Sequence, residues 1–246
     1  MSEKPISKGK RSVVITGASR GIGRALAHLH AAHGFDVLAV ARNFKDFPHH
    51  PNITCLPLDL TWSDAIPKII GCLNATARPF ERLINNAGIQ VELDLTRDVG
   101  DETPALIDRE IALNLTLPIH LSHAMVPLMA RPGGTIVNVT SLTSRQPKSS
   151  APVYSATKAG LASFTSALRH QLAPLGIRVV EAVPPLVDTD MTLGRGSGKL
   201  SAEAMAQAIY DGIAAQRRII APGLSRPVLL LNRLLPELVA KILAKS

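Results

Sequence analysis

The sequence predicts a single doubly wound α/β domain, a parallel sheet covered by helices on both faces, and three observations carry that prediction. Short apolar runs alternate with longer amphipathic segments, and the first apolar run passes directly into a glycine turn and a helical pattern. A chain of 246 residues that is 46% hydrophobic can also bury one sizeable core. Strands joined by right-handed crossovers put the residues that follow them on one sheet edge, where ligands of such folds bind.

In order, Val13-Val14-Ile15 reads as the first strand, and Thr16-Gly17-Ala18-Ser19-Arg20-Gly21-Ile22-Gly23 turns it into a helix that continues through Leu29. A second strand is predicted from Asp36 to Val40. An irregular stretch with Pro48, His49, His50 and Pro51 follows, and a third strand from Ile53 to Pro57 ends before Asp59. Residues 61 to 75 read as a helix, and Arg82 to Asn85 as a fourth strand closing on Asn86-Ala87-Gly88. A long helical region is expected over 103 to 130. Pro132-Gly133-Gly134 stops it, and a strand over 135 to 139, a helix over 154 to 172 and a strand over 177 to 183 complete the alternation.

The formal charge of +8 is concentrated at the ends: residues 1–11 and 217–246 carry net +3 and +5, and the stretch between them is neutral. With 3% aromatic residues there is little material for base stacking, so a nucleic-acid partner is not expected. Residues 1–12 read as a disordered lead-in and 13–246 as the domain. The apolar and basic segment 225–246 is interrupted by Pro236; it reads first as a core or subunit-packing helix and second as a membrane-surface helix. Cys55 and Cys72, without a CxxC pair or an export signal, fit buried free thiols in a reducing compartment, hence a cytoplasmic protein. The eight histidines show no zinc spacing, and no metal is expected.

The glycines of the turn let the backbone approach a pyrophosphate and aim the following helix's first amides at it. The residue ending the second strand decides between NAD and NADP, because a carboxylate there would accept the ribose hydroxyls. It is Ala41, followed by Arg42. With Ser19 and Arg20 in the turn, two guanidiniums and a hydroxyl can surround a 2′-phosphate, which favours NADP(H).

Tyr154 and Lys158 lie at i and i+4, on one face of a helix, so an ammonium sits beside a phenol. A free tyrosine has a pKa of about 10, and each unit of depression represents about 1.4 kcal/mol of preferential phenolate stabilisation. That shift makes the phenol useful for proton transfer. Ser141, thirteen residues before Tyr154, supplies a second hydroxyl for the same carbonyl.

Thr16-Gly17-x-x-x-Gly21-Ile22-Gly23, Asn85-Asn86-Ala87-Gly88, Asn114, Ser141, Tyr154-x-x-x-Lys158 and Pro184 to Thr189, in this order and over residues 12 to 222, resemble the classical short-chain dehydrogenases/reductases. The resemblance implies a seven-stranded sheet of order 3-2-1-4-5-6-7 and a tetrad of Asn114, Ser141, Tyr154 and Lys158. In that scheme Tyr154 protonates the carbonyl oxygen, Ser141 hydrogen-bonds it, Lys158 also binds the nicotinamide ribose, and Asn114 holds a water leading to solvent. It further implies that Asp59 and Leu60 contact the adenine, that Asn86, Ala87 and Gly88 border the adenosine ribose, that Val187 with Thr189 holds the carboxamide, and that Pro184 also belongs to the cofactor site. A homodimer, built on the helices around 103–130 and 154–172, is the first expectation and a tetramer the second. One departure is Pro185, where the family has glycine, which stiffens the loop. The Pro184-Pro185-x-Val187-x-Thr189-Asp190 pattern resembles a subgroup found with bacterial D-alanyl-teichoic-acid operons, from which no substrate is carried over.

The implied activity is reversible hydride transfer between NADPH and a small carbonyl compound, a ketone, aldehyde or 3-oxoacyl group. Residues 190–200 read as a short glycine-rich substrate flap before a helix capped by Ser201. Arg145, Lys148, Arg195 and Lys199 around it would suit an anionic substrate or simple solubility. Two alternatives remain: an esterase using Ser141 as nucleophile, although no G-x-S-x-G elbow surrounds it, and a non-catalytic NADP(H) sensor.

Overall fold

The computed structural model describes residues 11–74, 80–97, 100–194 and 196–235. Seven strands are found among them: β1 Ser12–Thr16, β2 Asp36–Ala41, β3 Ile53–Pro57, β4 Arg82–Asn85, β5 Thr135–Val139, β6 Arg178–Ala182 and β7 Ile219–Ile220. They form one parallel sheet in the order β3-β2-β1-β4-β5-β6-β7. The order reverses beside β1, where β1 pairs with β2 on one side and β4 on the other, so the cleft beyond their carboxyl ends is the natural ligand position.

Alternation along the strands divides the core in two. Val13 and Ile15 face α1 (Gly21–Ala32) and α6 (Ala202–Ala214), packing with Leu26, Met205 and Ile209. Val14 faces the opposite layer, where α2 (Ala65–Asn74) supplies Ile69, α4 (Leu117–Met125) supplies Leu121, and α5 (Pro152–Leu172) supplies Leu168. Burial on both faces is why the inner strands read as continuous apolar runs.

The helical region over 103–130 is not uniform. Helix α3 (Thr103–Ile111) passes into a π-helical turn, Ala112–Thr116, before α4, and a short 3-10 turn, Val126–Leu128, ends it. Helix α2 starts at Ala65 rather than 61, because Asp59 turns the chain first: its Oδ1 accepts from the Thr61 amide and hydroxyl at 3.0 and 2.8 Å. Ser12, assigned to the lead-in, opens β1 opposite Asp36. The short β7 and helix α7 (Ser225–Leu234) close the described chain; residues 1–10, Arg195 and 236–246 lie outside it.

The expectation of buried thiols is corrected. Cys55 is exposed because it lies on β3, the edge strand of the sheet, whose burial is partial throughout; Cys72, on α2, is half-buried at the margin of the second core layer.

Candidate active site

The glycine turn is tied to the end of β4 by Thr16. Its hydroxyl donates to the Ile84 carbonyl at 3.3 Å and accepts from the amides of Asn86 and Ala87, each at 3.1 Å. The Asn86 amide group donates back to the carbonyls of Thr16 and Gly17, at 3.0 and 3.2 Å. Packing of this density leaves no room for side chains: a Cβ on Gly23 would stand 2.2 Å from the Gly17 oxygen, and one on Gly17 2.8 Å from the Ala87 Cα. Gly17 and Gly23 therefore serve the turn itself. Gly21, at φ +52°, faces Thr189 across the cleft, with 2.9 Å between its ideal Cβ position and Thr189 Cγ2.

Helix α1 begins at Gly21 with no side-chain cap and no acid in its first turn. The first amides of an uncapped helix and its positive dipole end suit an anion, and the bare glycine cradle admits one closely, so these residues fit a dinucleotide pyrophosphate. At the end of β2 the buried Ala41 places no carboxylate near an adenosine ribose, and exposed Arg42 follows. Asp59 at the end of β3 has its carboxyl held below the usual range by the Thr61 amide and hydroxyl, and Leu60 beside it is buried. Arg20 stands differently from expectation: its guanidinium pairs with Asp190 at 3.0 Å, and both side chains are about two-thirds exposed. Such exposed pairs are worth about 0–1 kcal/mol and exchange readily for a phosphate.

Helix α5 delivers Tyr154 and Lys158 on its buried face, beginning at Pro152 where its missing N–H costs nothing. The ammonium of Lys158 donates to the Val139 carbonyl at 2.9 Å and lies 5.6 Å from the centre of the Tyr154 ring. Burial lowers its pKa to about 8, against which the charge of Glu110 acts. Two residues beyond Val139, Ser141 opens a short 3-10 turn, Leu142–Ser144, packed on α5; its Oγ accepts from the Thr143 amide at 3.2 Å.

The π-helical turn carries Asn114 into the same centre, in keeping with the frequent placement of such bulges at functional sites. Its side chain spans the backbone of Ile89, donating to the carbonyl at 2.8 Å and accepting from the amide at 2.9 Å, and Nδ2 also donates to Thr157 Oγ1 at 3.3 Å. Gly88 fits closely between the two: a Cβ there would lie 3.0 Å from Asn114 Oδ1 and 3.5 Å from Lys158 Nζ. Asn114, Gly88, Lys158 and Tyr154 are thus brought together, with Ser141 on the adjoining strand end.

On the flap side, Val187 bridges Leu200, and Thr189 caps a short turn through a reciprocal pair with Thr192. A cleft of about 230 Å³ between Arg20, Gly21, Thr189 and Ser201 joins the flap to the glycine turn. A larger, open depression of about 620 Å³ lies between Glu92–Thr96 and Ser149–Pro152; Tyr154 and Lys158 do not line it, so it is a rim feature beside the reactive groups. Pro185 packs near Gly223, at 3.8 Å from that residue's ideal Cβ position.

Two residues expected around an anionic substrate are engaged within the protein. Arg145 pairs with both carboxylate oxygens of the buried Glu181, at 3.1 and 2.9 Å, and Lys199 donates to the Thr192 carbonyl at 2.7 Å beside Asp188 at 3.6 Å. Sequence reasoning missed Glu181 and Glu110, although a carboxylate inside the apolar run Val179 to Val183 was a visible signal. It also missed the buried ladder in which Asn85 donates to Asn138 at 2.8 Å and Asn138 to Thr165 at 2.9 Å.

The chain is similar in sequence and in fold to known oxidoreductases. The chain is 35% identical over 213 residues to the uncharacterized oxidoreductase DltE of Bacillus subtilis, covering 82% of this chain and 84% of that protein. It is 30% identical to a sulfoacetaldehyde reductase of Chromohalobacter salexigens, over 82% of this chain and 81% of that one. It is 31% identical to an NADP-dependent 3-hydroxy acid dehydrogenase of Schizosaccharomyces pombe, over 76% of each. The fold matches a Burkholderia cenocepacia short chain dehydrogenase solved with NADP at a TM-score of 0.83, with 22% identity over 95% of this chain and 97% of that one. Since the family profile described as short chain dehydrogenase matches residues 11–199, the chain belongs to the short-chain dehydrogenase family of oxidoreductases.

Proposed function

We propose that the protein is an NADPH-dependent reductase of a small carbonyl compound, running reversibly towards the alcohol, with Tyr154 as general acid and base. The observation that supports this reading most is Lys158, an ammonium taken wholly out of water and held beside a phenol. Burying a charge is costly, and here its return is chemical: the ammonium favours the phenolate left behind when Tyr154 gives up its proton. The bound nicotinamide nucleotide supplies the hydride. Tyr154 donates its proton to the substrate oxygen, Ser141 hydrogen-bonds the same oxygen, and Asn114 keeps the polar path from Lys158 open along Gly88 and Ile89.

The NADP(H) preference rests on Ala41 and Arg42 at the end of β2, with Ser19 and Arg20 in the glycine turn. Arg20 contributes by exchanging Asp190 for the phosphate. The relative whose name specifies NADP dependence supports the same choice. Two relatives are named for sulfoacetaldehyde and for 3-hydroxy acids, so these compounds head the substrate panel, followed by simple ketones, aldehydes and 3-oxoacyl thioesters.

The deciding measurement is NADPH oxidation with that panel, repeated with Tyr154→Phe. The variant is expected to lose about 10²- to 10⁴-fold in kcat while binding NADPH as before. Turnover by Tyr154→Phe at the normal rate would overturn the mechanism. For the cofactor, Arg42→Ala is expected to raise the NADPH Kd about 10- to 100-fold and leave the NADH Kd within about threefold, since one charged hydrogen bond is worth about 1.5–3 kcal/mol. Equal weakening of both nucleotides would remove Arg42 from the 2′-phosphate.

A further inference from the structure

Helix α3 inverts the usual amphipathic arrangement: of its nine residues the one that is buried is an acid, Glu110, while Leu106 and Ile111 are exposed. A carboxylate is fully buried only when something compensates it. One oxygen, Oε1, accepts from the Val91 amide at 3.0 Å, and Oε2 has no hydrogen-bond partner among the described residues. The loop that supplies Val91 leads back to the reactive centre within three residues. Ile89 is clasped by Asn114, and Gly88 lies against both Asn114 and the ammonium of Lys158. Glu110 and Asn114 are one turn apart on the same helical run, so acid and amide both hold the loop from that run, with the ammonium against the loop at Gly88.

We propose that Glu110 is a positioning residue of the catalytic centre, the counter-charge that keeps Lys158 an ammonium beside Tyr154 while its bond to Val91 holds the Gly88–Val91 loop against Asn114. This role rests on the reading of Tyr154 and Lys158 given above. Asp108 and Arg109 adjoin Glu110 on its own helix and Glu92 follows Val91 on the loop, but the charge that acts on Glu110 is that of Lys158 on α5. Burial raises the Glu110 carboxyl above its usual range, while the Val91 amide and Lys158 pull it back. The same attraction opposes the burial that brings Lys158 down to about 8. Removing the negative charge therefore deprotonates Lys158 at lower pH, and the phenolate loses its partner where the wild type still has one.

The test reads Lys158 directly, by NMR titration of the full chain carrying ¹³Cε-lysine and ¹³Cδ-glutamate, without substrate or nucleotide, Lys158 being assigned with Lys158→Met. In Glu110→Gln, which keeps an acceptor for Val91, the Lys158 midpoint is expected to fall by about one pH unit or more. In Glu110→Asp, which keeps the charge, it should stay nearer to the wild type. The alkaline limb of the kcat profile should move with it. An unchanged Lys158 midpoint in a folded Glu110→Gln protein overturns the proposal. Should that variant fail to fold, the wild type still decides, because the Glu110 carboxyl carbon must shift at the Lys158 midpoint, and no such step would refute the coupling. The two NMR readouts are independent of turnover, so a shifted midpoint in a protein that reduces no carbonyl compound would sink the proposed function and leave Glu110 acting on Lys158.

Discussion

His30 shows how a single side chain can set the pH range over which this protein is stable. It is fully buried on α1; Nδ1 lies 2.8 Å from the Leu26 carbonyl and Nε2 lies 3.1 Å from Arg82 Nη1. A guanidinium can only donate, so Nε2 accepts, Nδ1 carries the proton, and the ring is neutral. Burial lowers its pKa to about 3, the Leu26 carbonyl opposes the shift, and the charge of Arg82 adds to it. Between pH 6.5 and 3 the unfolded chain therefore binds a proton that the folded one refuses, and stability falls as the pH falls. From pH 7 to 4.5 this one residue is expected to remove about 2–3 kcal/mol. Urea unfolding at the two pH values measures it, and a His30→Leu protein should show a correspondingly flatter dependence. Equal slopes in both proteins would place the acid sensitivity elsewhere.

At the scale of elements, two glycines in helices make opposite predictions. Gly23 lies in the first turn of α1 against the Gly17 carbonyl and the Asn86 amide, so Gly23→Ala must displace backbone as well as side chain; a cost of about 2 kcal/mol or more is expected, with nucleotide binding lost alongside. Gly71 sits exposed inside α2 with nothing within 4 Å of an added Cβ and no left-handed φ. Gly71→Ala should stabilise by about 0.5–1 kcal/mol, or roughly 2 °C in Tm for a chain of this size. Thermal melts of the two variants check both signs. The π-helical turn belongs to this scale as well: the residues from 103 to 130 read as one helical region, and in the fold a single turn of it opens to present Asn114.

At the scale of the whole molecule, the faces of α3 and α5 turned away from the core carry an assembly prediction. α3 exposes Leu106 and Ile111, and α5 exposes Ala156, Ala159, Ser163 and Ala167, a smooth surface on which a second copy can pack closely. We propose a homodimer through these helices. Light scattering should give twice the chain mass of 26.2 kDa at micromolar concentration, and Ile111→Glu should lower it towards one chain without unfolding. A wild-type monomer under those conditions would refute the dimer.

Much of this protein was determined locally and is therefore legible in its sequence. The glycine turn between Val13 and Leu29, the strands at Arg82, Thr135 and Ile53, and the i, i+4 relation of Tyr154 to Lys158 follow from period, turn chemistry and spacing, which act over a few residues. The strand Ile219–Ile220 is too short for any period and came only with the family resemblance. Tertiary structure alone decided the partners of charged groups: Arg145 turned to Glu181, Arg20 to Asp190, Lys199 to Thr192, and Glu110 into the core. The physical reason is that a charge is satisfied by whatever lies within a few ångströms, and residues 36 or 170 positions apart become neighbours only once the sheet has formed.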